Sequence, residues 1–240
     1  MTFEIQKLNE RESDTIKKIL VYALPGTGKT TLVSQMFEGK RVLIIDTEQG
    51  TRFIPKQDNI DVLHLQTFPK TQELRELQDQ LKEYDVVIVD SIMQLQEMFL
   101  NSSILGPNHK KSDGTISLQG YGFLKARVGA IMEMLYRSVE VVCVVAHQTE
   151  KSQAREAGES TTSIIAPSIM GGLYDVIVAR MEMILKLQVF LQGDKEKRVV
   201  RIMDKGSVFV AKDRPNFFGG KKEMEVAEFI KEFNNYHSNT

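Results

Sequence analysis

The sequence has few features that would place the chain in an oxidising compartment or in a membrane. Its 240 residues include one cysteine and no tryptophan. One cysteine cannot form an internal disulfide, and Cys143 lies in an apolar run, so we expect a buried structural thiol. No apolar run approaches the ~20 residues that span a bilayer, and the first residues lack the basic start and apolar stretch of a signal peptide. We therefore expect a cytoplasmic protein with no membrane partner.

An excess of charge of one sign is also lacking. The formal net charge is −1, so no overall basic field would attract nucleic acid. Any contact with DNA must come from local clusters or from subunits repeated along a strand. Hydrophobic residues make up 42% of the chain and charged residues 26%, values that are typical of a globular protein with a sizeable core.

The chain does contain a phosphate-binding pattern. A short apolar run at 19–23 leads into glycines at positions 26 and 28, and Lys29 follows directly. Glycines let the backbone curl so that several N–H groups point at one anion, and the next helix adds its positive N-terminal end. In such loops the lysine reaches the β- and γ-phosphates, and the next hydroxyl holds Mg²⁺. The residues expected to contact the nucleotide are Pro25, Gly26, Thr27, Gly28, Lys29, Thr30 and Thr31.

Alternation of strands and helices predicts an α/β fold. The predicted strands are nearly continuous in apolar residues, which is typical of a mostly parallel sheet with helices on both faces. After residue 175, shorter runs separated by polar turns predict antiparallel hairpins. The predicted strands lie at 19–23, 41–46, 61–65, 86–89 and 139–146, the hairpin runs at 176–180, 183–191, 198–203 and 207–211, and the longer helices at 29–37, 71–83, 92–100 and 121–137.

We expect one domain, with an N-terminal extension at 1–18 and a helix within 222–240. The closing helix would bury one face, formed by Val226, Phe229, Ile230 and Phe233. Polar stretches at 101–119 and 149–167 are predicted to be loops.

Three predicted strands end in polar side chains. The carboxyl ends of parallel strands share one edge of the sheet, where ligands bind. Asp90 would hold Mg²⁺ together with Thr30. Asp90 is followed by a serine rather than a glutamate, so Glu48 is the candidate base that deprotonates the attacking water. Gln148 would sense the γ-phosphate and move the loop behind it.

These motifs occur in the order and approximate spacing of the RecA-type ATPase core. The matching segments are ALPGTGKTT, IIDTE, VVIVDS and VVAHQ. The chain looks most like the compact phage-encoded members that accompany single-strand annealing and recombination. This resemblance spans about residues 19–218 and implies a RecA-like P-loop fold, with ATP and Mg²⁺ as cofactors. It also implies Glu48 as the base, Gln148 as the nucleotide sensor, and the host cytoplasm as the location.

The resemblance further implies single-stranded DNA, other copies of this chain and a single-strand DNA-binding protein as partners. The stretches 101–119 and 149–167 correspond to the DNA-facing loops of that family. Their candidate contacts are Lys110, Lys111, Lys151 and Arg155. The second loop is slightly acidic and has no aromatic residue, so ordinary solvated loops are an alternative.

Lys212 and Arg214 resemble the basic pair that this family inserts into a neighbouring subunit's site. Such a cation acting in trans contributes about 10³-fold in rate. An exposed turn at the edge of the sheet is the alternative.

Two other function classes remain open on the residues alone. A P-loop kinase would transfer phosphate to a small molecule, but the chain after residue 100 shows no convincing arginine-rich lid. A nucleotide-dependent switch would act on a protein partner with little turnover.

Overall fold

The computed structural model describes residues 16–153, 162–193, 195–204 and 208–237. Arg155, one of the predicted DNA contacts, lies outside these ranges, as does most of the predicted N-terminal extension. The strands are β1 (Lys18–Ala23), β2 (Val42–Asp46), β3 (Ile60–His64), β4 (Val86–Asp90), β5 (Val141–Gln153), β6 (Thr162–Pro167), β7 (Met183–Gln192), β8 (Lys195–Arg201), β9 (Lys212–Asp213) and β10 (Glu223–Glu225). The helices are α1 (Lys29–Gln35), α2 (Thr71–Gln80), α3 (Ile92–Leu100), α4 (Leu118–Ser138), α5 (Leu173–Arg180) and α6 (Val226–His237).

The described strands form one mixed sheet around a parallel centre. The main strand order is β10-β8-β7-β1-β5-β4-β2-β3, and the six strands from β7 to β3 are parallel. β8, β9 and β10 pair antiparallel at the β7 side, as the sequence predicts. β5 therefore lies between β1 and β4, so the ends of three neighbouring strands meet at one edge. The predicted α/β class is confirmed.

Side chains alternate between two cores, one on each face of the sheet. Leu20 and Tyr22 of β1 point into the core that α2 to α5 cover, whereas Ile19 and Val21 point into the core under α1 and α6. The predicted apolar face of the last helix is confirmed, because Phe229 and Phe233 are fully buried while Val226 and Ile230 pack at its margin. Both faces of the central strands β1, β2 and β4 are thus shielded from water, which explains their continuous apolar runs.

Two predictions of local structure are wrong. The run at 176–180, predicted as a strand, belongs to helix α5, where Leu173 and Ile177 are buried one helical turn apart. The polar stretch at 149–167, predicted as a loop, contains a β-hairpin, since β5 continues to Gln153 and pairs antiparallel with β6. Ile164 and Ala166, two residues apart on β6, are buried. Their burial stabilises the hairpin even though most of its residues are polar.

Other boundaries differ by a few residues. α1 ends at Gln35 rather than at residue 37, and α4 begins at Leu118, inside the predicted loop at 101–119. The run at 207–211 yields an isolated bridge between Phe209 and Ile165, with the strand β9 beginning only at 212. Among the helices of the described ranges, none is long and apolar enough to cross a lipid bilayer.

Candidate nucleotide site

The loop between β1 and α1 forms an open cradle. Gly26 and Gly28 adopt φ angles of 73° and 93°, a left-handed backbone that favours glycine. The Thr27 hydroxyl donates to the Leu24 carbonyl at 2.8 Å and closes the turn, and the Leu32 N–H bonds to the Gly28 carbonyl at 2.9 Å as α1 begins. The curled backbone predicted from the glycines is therefore present at the carboxyl end of β1.

Lys29 crosses the mouth of this cradle. Its side chain is buried, and Nζ donates to the Leu24 carbonyl at 3.0 Å and lies 3.5 Å from Nδ1 of His147. Burial lowers the pKa of the Lys29 ammonium, and the nearby carboxylates of Asp90 and Glu48 oppose that shift. The ammonium is thus held at the loop by a neutral carbonyl that a phosphate oxygen could replace.

Thr30 and Asp90 meet beside the cradle. The Thr30 hydroxyl donates to Oδ2 of Asp90 at 2.6 Å. Burial raises the pKa of the Asp90 carboxyl to about 6; the Thr30 hydrogen bond opposes this rise, and the charges of Glu48 and Asp46 add to it. A divalent cation in this position would offset the cost of burying the carboxylate, because it supplies the positive charge that the pair lacks.

Glu48 is carried by a turn that Asp46 organises. The buried Asp46 carboxylate accepts hydrogen bonds from the N–H groups of Glu48, Gly50 and Thr51, at 3.1 to 3.2 Å, and from the Thr51 hydroxyl. This turn projects Glu48 toward β4, where its carboxylate accepts a hydrogen bond from the Ser91 hydroxyl. The strand end thus fixes the position of the predicted base.

His147 links the predicted base to the cradle. Its Nε2 lies 3.1 Å from Oε1 of Glu48, while its Nδ1 faces Lys29. Sequence reasoning emphasised Gln148 and missed His147. The signal was the period of two along β5: Cys143 and Val145 pack into the core under α1, so His147 follows on the cradle side.

Gln148 lies on the other side of β5. It follows Val144 and Ala146, which face the opposite core, and it is the first residue of β5 to pair with β6, opposite Pro167. The structure therefore brings Glu48, Lys29, Thr30 and Asp90 together beside the loop, and the side chain that contacts them from β5 is His147 rather than Gln148.

Residues 15–215 match the family model described as an AAA domain. The chain belongs to the AAA-domain family. Among solved structures, a KaiC-like protein from the hyperthermophilic archaeon Pyrococcus horikoshii OT3 is 14% identical, with a TM-score of 0.46, over 82% of this chain and 83% of that one. No curated protein matches the chain. The family match confirms the P-loop ATPase class that the motifs predict.

The cradle of this AAA domain fits a nucleotide with Mg²⁺. A Cβ added at Gly26 would meet no heavy atom of the described residues within 4 Å, so the loop is open on that side. Mg²⁺ takes one or two protein ligands with phosphate oxygens and water, which suits the single hydroxyl and carboxylate of Thr30 and Asp90. A cluster of three His, Cys, Asp or Glu side chains suited to a metal does not occur in the described ranges, and such a site does not require one.

The basic pair of the AAA domain lies away from its own cradle. Lys212 pairs with Ile184 of β7, which in turn pairs with Leu20 near the start of β1. Nζ of Lys212 donates to the Met181 carbonyl at 2.5 Å, and burial lowers the pKa of its ammonium with help from the charge of Arg214. Arg214 is exposed beside it. The structure does not bring these two cations to the cradle of the same subunit.

The predicted DNA contacts of the AAA domain have different environments. Lys110 and Lys111 are exposed on a short turn, where Lys110 bridges to Ile116. Lys151 lies on β5, and its Nζ sits 2.9 Å from the centre of the Tyr174 ring. Burial lowers the pKa of the Lys151 ammonium. The first two lysines are thus open to solvent, whereas the third is engaged with an aromatic ring.

Proposed function

We propose that this chain hydrolyses ATP at the cradle, with Glu48 as the base. The observation that carries the proposal is the convergence of Glu48, His147 and Lys29 on the loop that the phosphate-binding pattern predicts. A carboxylate, an imidazole and an ammonium, delivered by three different strand ends, surround one small volume. Hydrolysis needs such groups to orient water and stabilise charge, because the transferred phosphoryl group itself needs little covalent help.

Each side chain has a definable task in this reaction. Glu48 accepts a proton from water, and Ser91 and His147 hold its carboxylate in one orientation. When the nucleotide binds, the Lys29 ammonium exchanges its hydrogen bond to the Leu24 carbonyl for one to a phosphate oxygen. The buried ammonium therefore keeps a hydrogen-bond acceptor in both states. Mg²⁺, when bound to Thr30 and Asp90, would neutralise charge on the phosphates. The N–H groups of the loop at 26–28 would donate hydrogen bonds to the same phosphates.

The test is the Glu48→Gln variant, which keeps the side-chain size and removes the base. We expect its ATP turnover to fall by about 10²-fold or more, while its affinity for ATP stays within twofold of the wild type. Turnover is measured by phosphate release and affinity by calorimetry. Glu38→Gln, an exposed carboxylate after α1, is the matched control and should behave as wild type. Normal turnover in Glu48→Gln would remove Glu48 from this role.

We further propose that single-stranded DNA binds at the carboxyl edge of the sheet and stimulates hydrolysis. Lys110 and Lys111 offer exposed cations there, and nearby Leu118 and Tyr121 are 87% and 42% exposed. Cations for phosphates and apolar or aromatic side chains for bases are the features that single strands require. Promotion of annealing or strand pairing would follow from holding DNA on repeated copies of the chain.

The β5–β6 hairpin gives this DNA proposal a physical link to the nucleotide. It begins at Gln148, directly after the His147 ring that contacts Glu48. A shift of that ring as the terminal phosphate is lost would be passed to the hairpin through a continuous strand. Gln148 is the residue that we assign to this coupling.

The DNA proposal is tested by ATPase rate with and without an oligonucleotide, at two salt concentrations. We expect stimulation in low salt, lost in the Lys110→Ala/Lys111→Ala double variant and retained in Lys56→Ala, an exposed lysine elsewhere. An unchanged rate together with no shift of the oligonucleotide in a gel would remove the DNA role. If a protein raises the ATPase rate and the oligonucleotide does not, the nucleotide-dependent switch that acts on a protein partner is favoured. Transfer of phosphate from ATP to a nucleoside would favour the P-loop kinase.

A further inference from the structure

Arg198 stands beside the cradle, although the phosphate-binding pattern does not include it. On the β7–β8 hairpin it pairs with Val189. Tyr22 of β1 pairs with Lys186, so Val189 lies three residues further along β7 and therefore beyond the end of β1. The β7–β8 hairpin thus extends beyond the carboxyl end of β1, and Arg198 lies level with the loop at 24–28 along the strand direction.

The guanidinium of Arg198 approaches the loop at Gly28. A Cβ added at Gly28 would lie 3.3 Å from Nη1 of Arg198, which is tighter than ordinary van der Waals contact. The missing side chain at this position therefore serves two purposes: it permits the φ of 93°, and it leaves room for a cation against the loop. Arg198 packs on the wall of the cradle itself.

Arg198 and the hydrolytic groups come from opposite sides of β1. In the sheet, β7 and β8 lie on one side of β1, and β5, β4 and β2 lie on the other. Asp90 is the last residue of β4, and Glu48 lies shortly after the end of β2. A triphosphate whose terminal group lies at Asp90 and Glu48 must therefore extend toward Arg198 with its nucleoside end.

The guanidinium is available for a phosphate. Its side chain is 48% exposed, and Nη2 pairs with Oε2 of Glu196 at 3.3 Å, with Glu196 itself 59% exposed. Exposed pairs of this kind contribute little to stability, so a phosphate can displace the carboxylate at small cost. A planar guanidinium also binds two phosphate oxygens at once, which an ammonium cannot do.

We infer that Arg198 binds the α- or β-phosphate of the nucleotide, within the same subunit that supplies the cradle. The inference rests on the proposed nucleotide site and adds a residue to it. Lys29 then serves the terminal end of the phosphate chain, and Arg198 the nucleoside end. Because ADP keeps both inner phosphates, Arg198 holds the product as well as the substrate.

The inference is tested by calorimetric titration of Mg²⁺–ADP and of an Mg²⁺–ATP analogue that resists hydrolysis. For Arg198→Ala we expect both dissociation constants to rise about tenfold, as for the loss of a charge-assisted hydrogen bond. Arg198→Lys should recover part of the loss, because it keeps the charge without the fork. In steady-state assays, KM for ATP should rise while kcat stays within twofold of wild type.

Lys197→Ala is the matched control. Lys197 is the neighbour of Arg198, it carries the same charge, and it points to the other face of the hairpin, where it pairs with Glu225 at 2.7 Å. We expect its ADP affinity to equal that of the wild type.

The possible outcomes separate the inference from the function beneath it. Unchanged ADP affinity in Arg198→Ala would overturn the inference, and so would a loss confined to the ATP analogue, because that result would place Arg198 at the terminal phosphate. Lys29→Ala reports on the site as a whole, and we expect it to abolish binding of both nucleotides. Full binding by Lys29→Ala would contradict the proposed nucleotide site, whatever Arg198 does.

Discussion

At the scale of single residues, two side chains hold Glu48, the proposed base, in position. Asp46 and His147 both act on Glu48, the first through the backbone of its turn and the second through its carboxylate. A base must be held within a fraction of an ångström of its water, so residues that only position it can change the rate strongly. Each can therefore be tested by a rate that falls while nucleotide binding persists.

Replacing Asp46 with alanine removes the acceptor of four hydrogen bonds that hold the turn at residues 48–51. We expect kcat to fall by about 10²-fold, because Glu48 loses its fixed position. The free energy of unfolding should also fall by about 1–3 kcal/mol, as the Glu48, Gly50 and Thr51 donors lose a buried partner. Urea denaturation measures the second effect and ADP titration the integrity of the cradle. Asp58→Ala, an exposed aspartate, should change neither.

His147 and Gln148 are adjacent residues with different expected effects. His147→Ala should lower basal kcat by about tenfold, because Glu48 and Lys29 lose the ring between them. Gln148→Ala should leave the basal rate nearly unchanged and reduce the stimulation by DNA, since Gln148 starts the hairpin on the other side of β5. Phosphate release with and without oligonucleotide separates the two. A larger basal loss for Gln148→Ala would reverse the assignment.

At the scale of secondary-structure elements, the parallel core could be predicted because its central strands β1, β2 and β4 are buried on both faces. Such strands leave continuous apolar runs, and their polar ends mark the carboxyl edge, which is why the positions of Glu48 and Asp90 at that edge could be predicted. The two errors have one cause: the β-branched run in α5 and the polar hairpin β5–β6 have compositions opposite to their structures. In both, tertiary burial of alternating or i, i+4 residues overrides local preference.

Arg198 and Ser91, which the sequence did not mark as neighbours of the cradle, share a different property. Arg198 is adjacent to Gly28 only because the β7–β8 hairpin folds beside β1, and Ser91 reaches Glu48 only because β2 and β4 pair. No motif links such residues along the chain. Strand register decides their contacts, and register depends on the assembled sheet rather than on any segment alone.

α6 packs beside α1, the helix that follows the cradle, on the same face of the sheet. Phe233 of this helix is fully buried, with its ring centre 5.7 Å from that of Phe37, which follows α1. Phe233→Ala should lower the free energy of unfolding by about 3–5 kcal/mol, since it opens a cavity beneath α1. Denaturant titration measures this loss, and Ile230→Ala, at the margin of the same face, should cost clearly less. If the two variants lose the same free energy of unfolding, the contact between Phe233 and Phe37 does not contribute as a buried core contact.

At the scale of the whole molecule, the basic pair Lys212 and Arg214 lies far from the cradle of its own subunit. Lys212 is level with Leu20, whereas the cradle begins at Leu24, so about 13 Å of strand separates them along β1 alone. The Lys212 ammonium also bonds to the Met181 carbonyl on that distant side. We propose that the pair completes the cradle of a neighbouring subunit, as head-to-tail packing would allow.

Mixing two inactive variants tests this arrangement. Glu48→Gln lacks the base but keeps Lys212, and Lys212→Ala lacks the cation but keeps Glu48. At equal mixing, about a quarter of interfaces would join a Lys212→Ala cradle to a Glu48→Gln neighbour, so ATP turnover should recover to about a quarter of wild type. Glu48→Gln mixed with Lys29→Ala is the control, because no interface there holds every group. If the first mixture is no more active than its separate components, Lys212 does not act across subunits.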